Sequence, residues 1–172
     1  MYLLRGGKEM KKVLCLVLVF VLSLGLAGCG GNDKPKETVM TADEINNKLF
    51  NISNWLIGDY WNVVVSDIVW FTSDGTSATG SDMDPEITMN KYQTEYAKVA
   101  DYNTFINGLS EEDYKDVKFT WGKVFMQIIN IDAYIQTEGI IANAETPLNT
   151  DLFNQAMNAF SEAVDEVMGI EY

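Results

Sequence analysis

Between residues 114 and 135 apolar side chains recur at heptad spacing. Tyr114, Val117, Trp121, Val124, Ile128, Ile131 and Ile135 are separated by 3, 4, 3, 4, 3 and 4 residues. That period places all seven on one face of a helix, and such a face needs another helix alongside it at a shallow crossing angle. The chain must therefore supply at least one long helical partner. Ser110-Glu111-Glu112-Asp113 is the expected start of this helix and Gly139 its stop. A second apolar stripe, Phe119, Met126, Ile129 and Ala133, falls on another face. Two outcomes are open for it. Either the helix is central and buries both stripes, or the second stripe meets a partner.

The rest of the body reads as helices with their own punctuation. Thr41-Ala42-Asp43-Glu44 has capping-box spacing. Ile45, Leu49, Ile52, Leu56, Tyr60, Val63 and Val64 then keep a spacing of three to four, and the segment from Trp55 to Phe71 is apolar on most sides. This predicts one long, deeply buried helix, with Gly58 as its weak point and Val63-Val64-Val65 as the only stretch with strand character. Ser73 to Asp82 reads as a polar loop. Asp84-Pro85-Glu86 supplies a cap, an N1 proline and an early acid for a second helix. Its face is Ile87, Tyr92, Tyr96, Val99, Tyr102, Ile106 and Leu109, and Asn107-Gly108 is its stop. Thr146-Pro147 is expected to start a last helix carrying Leu148, Leu152, Phe153, Ala156, Phe160, Ala163, Val164 and Val167, with Gly169 after it. The fold class expected is all-α: an antiparallel four-helix bundle over residues 42–172.

The N-terminal portion is of a different kind. Lys11-Lys12 precedes an almost wholly apolar run from Val13 to Leu26. At 14 residues the run is short for a membrane span, which needs about 20, and suits the h-region of a secretory signal. Leu26-Ala27-Gly28-Cys29 resembles the lipobox of bacterial lipoproteins. The resemblance implies cleavage between Gly28 and Cys29, a diacylglyceryl thioether on Cys29, and acylation of the new amino group. Two or three acyl chains give stable anchoring where one is marginal. The expected organisation is a removed leader (1–28), a lipidated cysteine and tether (29–41), and the helical domain. The expected location is the extracytoplasmic face of the cell membrane. Within the leader, Met10-Lys11-Lys12 has the pattern of a signal start, so residues 1–9 read as translated upstream sequence. The tether, Gly30 to about Met40, spans ~18 Å as a random coil.

Composition narrows what such a domain does. The chain has 12 Lys+Arg, 25 Asp+Glu and no histidine. Removing Arg5, Lys8, Lys11, Lys12 and Glu9 with the leader leaves 8 basic and 24 acidic residues, a net charge of −16 with no arginine. A body so acidic lacks the basic patch that nucleic acid requires and is repelled by an anionic bilayer, so the membrane is reached through the lipid on Cys29 alone. With Cys15 in the leader and Cys29 modified, the domain has neither thiol nor disulfide and must hold by packing. No phosphate loop, metal motif or nucleophile constellation is present, and without histidine or thiol the sequence points away from an enzyme. No cofactor is expected. Asp59, Asp67 and Asp132 lie in apolar stretches but fit the edges of helical faces. Asp74, Asp82, Asp84 and Glu86 concentrate carboxylates in the loop 73–86, yet without the spacing of a calcium loop. Two functional readings follow. In the first, the domain engages another envelope protein through Phe119, Met126 and Ile129. In the second, a pocket between helices near Trp55, Trp61, Trp70 and Trp121 takes a small ligand.

Overall fold

The computed structural model describes residues 40–170, and every regular element among them is helical. Leader, cleavage site, Cys29 and nearly all of the tether lie outside the described residues. In chain order the elements are α1 (Ala42–Trp55), a π-helix π1 (Leu56–Val65), α2 (Ser66–Asp74), α3 (Pro85–Tyr96), α4 (Val99–Asn107), α5 (Lys115–Glu138) and α6 (Asp151–Met168). The first three run on without a break, and one turn joins α3 to α4, so the described residues make four helical stretches.

The expected caps do the work at several termini. Thr41 Oγ1 accepts from the Glu44 amide while the Glu44 carboxylate accepts from the Thr41 amide at 2.8 Å. Donation from the Thr41 amide, and from its hydroxyl, holds the Glu44 carboxyl below the usual carboxylate range. Asp84 Oδ1 accepts from the amides of Glu86 and Ile87, ahead of Pro85. Gly169, with φ +69°, ends α6 in the left-handed conformation glycine tolerates.

Four boundaries differ from expectation. The long first helix is not α throughout. Across Leu56–Val65 it widens, and the Ser66 amide bonds to the Trp61 carbonyl five residues back. The cause lies in the spacing of its buried residues. Ile52, Leu56, Tyr60, Val64, Ile68 and Thr72 are all buried at intervals of four. On an α-helix each such step overshoots by ~40°, or ~200° over five steps, and would carry the stripe round to solvent. Wider turns absorb that drift. Val63, expected in the core, is 48% exposed as a result, while Val64 is buried as expected and Val65 is buried beside it.

The second helix is interrupted at Ala97–Lys98, where the Lys98 amide bonds to the Glu95 carbonyl three residues back. In the third, Ser110 organises a single turn, accepting from Asp113 and Tyr114, and the helix proper begins at Lys115. Tyr114 departs from helical geometry as its hydroxyl reaches Asn46 Oδ1. The last helix begins at Asp151, not at Thr146-Pro147. Tertiary hydrogen bonds claim that stretch: the Leu148 amide donates to Thr72 Oγ1, and the Tyr134 hydroxyl donates to the Thr146 carbonyl. The same connector returns to the end of α2, with Asn143 and Ala144 amides on the Phe71 and Thr72 carbonyls. Gly75 there has φ +75°, and a Cβ on it would come within 2.6 Å of Asn143 Nδ2.

One connected core lies between the helical stretches. α5 packs on α6, α1 on α6, α3 on π1 and α4 on α5. All seven residues of the predicted heptad seam are buried, with Val117, Val124 and Ile128 at 0% exposure. Trp121 rests on Phe160 with centroids 5.3 Å apart and donates from Nε1 to Asn103 Oδ1.

Candidate functional site

The feature that the core leaves uncovered is the second stripe of α5. Phe119 is 63% exposed, Met126 57% and Ile129 37%. Gly122 and Ala133 are exposed on the same line, so the outward residues 119, 122, 126, 129 and 133 repeat the spacing 3, 4, 3, 4. At 100° per residue this seam lies ~160° around the helix from the buried one. α5 is thus apolar on two opposite sides, and only one faces the core. Leu152, expected in the core, is 62% exposed beside this region. It lines a shallow cleft of ~320 Å³ between α5 and α6 with Lys123, Gln127, Gln155, Ala156 and Ala159. Lys123 Nζ sits 4.3 Å from the Phe119 ring centroid, which shields one edge of the stripe with an alkyl stem and a cation.

The stripe lies in a part of the body that is poor in carboxylates. From Val117 to Thr137 the only carboxylate is Asp132, and from Leu152 to Ser161 on α6 there is none. Asp132 is itself engaged, accepting from the Tyr92 hydroxyl at 3.1 Å. Of the six lysines between residues 40 and 170, three lie in the first nine residues of α5: Lys115, Lys118 and Lys123. Lys118 pairs with Glu111 at 2.7 Å and caps the Leu109 carbonyl.

The tryptophans do not converge on one cavity. Trp55 is buried, stacks edge-on to Tyr102 at 4.8 Å, and donates from Nε1 to Glu95 Oε2 at 2.6 Å. Trp61 packs on Phe153, Trp121 belongs to the heptad seam, and Trp70 is 49% exposed on α2. A cleft of ~410 Å³ does open between π1 and α3. It is lined by Asp59, Val63, Val64, Ile87, Asn90, Lys91, Thr94 and Glu95, with no tryptophan among them. Glu95 on its wall is held by Trp55 and by Lys98, whose ammonium the carboxylate hydrogen bond keeps charged to higher pH.

Beneath π1 lies a set of buried hydroxyls. Tyr60 and Tyr92 approach with centroids 6.2 Å apart, and Tyr60 also meets Phe153. Burial pushes both tyrosine hydroxyls well above their ordinary range, with the Asp132 charge adding to it. Tyr60 Oη makes no hydrogen bond of good geometry, although the Tyr92 hydroxyl stands close enough to interact with it. These groups stay protonated at physiological pH.

In the loop 73–86, Asp84 is spent as the α3 cap, and the Asp67 carboxylate reaches across to the Ala78 amide. Among the described residues no three histidine, cysteine or acidic side chains come together in a group that could hold a metal ion. No described helix is long and apolar enough to cross a membrane. No protein-family model, curated protein or solved structure matches the chain.

Proposed function

We propose that the protein is a lipid-anchored, extracytoplasmic binding module that engages a protein of the cell envelope through the outward seam of α5. The observation that carries this reading is the apolar repeat Phe119, Met126, Ile129, exposed along a helix whose opposite face is fully buried. Contiguous apolar surface of that kind on a water-soluble body marks an interaction site. The anchor belongs to the same reading and rests on the resemblance of Leu26-Ala27-Gly28-Cys29 to a lipobox, with Cys29 as the acylated residue. The scaffold is an antiparallel four-helix bundle, up-down-up-down. Its support is the pairing of residues across helices: Lys48 with Phe105 and Tyr60 with Tyr92, Tyr92 with Asp132 and Asn103 with Trp121, Asn46 with Val167 and Ser53 with Ser161. In each set the number rises on one helix as it falls on the other.

The test is in-cell chemical cross-linking of the full chain against the variant Phe119→Ser/Met126→Gln. The expected result is loss of a dominant cross-linked species with the thermal midpoint retained. An unfolded variant would show the seam to be core, and an unchanged cross-linking pattern would show it to be idle surface.

A further inference from the structure

We infer that the occupant of the α5 outer seam is a second copy of this chain, docked antiparallel about a two-fold axis near Met126. The inference rests on the reading of the seam as a binding surface and narrows its partner.

Charge is the first argument. The body is strongly acidic, so two copies repel across most approaches. The outer side of α5 from Val117 to Thr137, with the neighbouring stretch Leu152 to Ser161, carries little of that charge, because Asp132 is the only carboxylate there and it is tied to Tyr92. A cationic partner would have better places to bind on this body than a face so poor in acids.

Side-chain size is the second. A two-fold interface is isologous: if residue i meets j, then j meets i. Reversing the seam about Met126 sets Phe119 opposite Ala133 and Gly122 opposite Ile129. Each large side chain meets a small one, and flexible methionine meets itself at the axis. Parallel pairing would set Phe119 on Phe119 and Gly122 on Gly122, crowding one layer and emptying the next. Nothing stands within 4 Å of a Cβ built on Gly122, so the space for the incoming Ile129 is open.

Direction is the third. The start of α5 mixes Lys115, Lys118 and Lys123 with Glu111, Glu112, Asp113 and Asp116, so charge at that end does not choose between the two directions. Antiparallel docking does set the N-terminal end of each α5 beside the C-terminal end of the other, so that the two helix dipoles oppose rather than add.

Cysteine substitution in the full chain tests this with register. Met126→Cys is expected to give a covalent dimer on mild oxidation, above the background of the unmodified chain. Phe119→Cys and Ala133→Cys alone are expected to give at least ~10-fold less. In the antiparallel pair residue 119 is ~21 Å from its own copy, and cysteines whose Cα atoms lie more than about 7 Å apart cannot be bridged. Co-expressed, Phe119→Cys and Ala133→Cys are expected to recover the dimer. Self-bridging at 119 would overturn the antiparallel arrangement. Folded Met126→Cys protein that stays monomeric on oxidation overturns the self-pairing. If an in-cell cross-linker at 126 then captures a different protein, the binding reading stands without it. If it captures nothing, both fall.

Discussion

The two seams of α5 share a helix, a spacing and an apolar character, yet one is buried and the other is open. Val117, Trp121, Val124, Ile128, Ile131 and Ile135 are at most 3% exposed, whereas Phe119, Met126 and Ile129 range from 37% to 63%. Their compositions differ in a telling way. The inner seam is β-branched and aromatic, stiff side chains that fix one packing. The outer seam mixes Phe119 and Met126 with Gly122 and Ala133, an uneven relief with one adaptable side chain. A heptad repeat states that a helix has a face to cover. What covers it is written in the relief and in the charges around it.

The comparison breaks first, and by the largest margin, on the inner seam. Trp121→Ala removes a 1% exposed indole, its contact with Phe160 and its bond to Asn103. It is expected to lower unfolding free energy by ~3–5 kcal/mol in urea titration. Tyr92→Phe is a smaller cut. It deletes the hydroxyl that serves Asp132, an expected loss of about 1–2 kcal/mol. Tyr60→Phe is expected to act in the opposite direction, stabilising by up to ~1 kcal/mol, because the hydroxyl removed is buried without a hydrogen bond of good geometry. Phe119→Ser and Met126→Gln are expected to change the stability of the single chain by less than ~0.5 kcal/mol. A loss as large as that of Trp121→Ala would abolish the distinction between the seams.

The same tyrosines set a pH limit. Tyr60 and Tyr92 have pKa values raised in the folded state by burial, so the folded chain holds protons that the unfolded chain releases. Their contribution is fully present below the unfolded tyrosine pKa of about 10 and is lost as pH climbs above it. Urea midpoints measured from pH 8 to 12 are expected to fall only above about pH 10, and less steeply in Tyr60→Phe/Tyr92→Phe. With no histidine in the chain, no histidine transition is expected near neutrality.

Much of the scaffold was legible because its signals are local. The Thr41 capping box, the Asp84-Pro85 start and the stops at Gly139 and Gly169 are chemistry within one turn of backbone. The inner seam was legible because seven residues agree on one period. The failures are tertiary. Leu148 and Thr146 gave up helical bonding for partners on Thr72 and Tyr134, which no local pattern encodes. The π-helix had a signal, the run of fours from Ile52 to Thr72, but a reading that assumes 3.6 residues per turn extended the buried face to Val63 as well as Val64. The outer stripe was visible in the sequence as apolar residues. That it faces outward depended on how many neighbours α5 has, a property of the assembled helices.

A photo-activated cross-linking residue scanned along α5 in the living cell tests the division of that helix most directly. Probes at 119, 126, 129 and 133 are expected to yield intermolecular products, while probes at exposed positions elsewhere, such as Asn47 on α1 and Gln93 on α3, yield none. Products that recur at intervals of three and four residues along α5 would establish its outer seam as a docking face. Absence of intermolecular product at all four positions, in a folded protein, would contradict it.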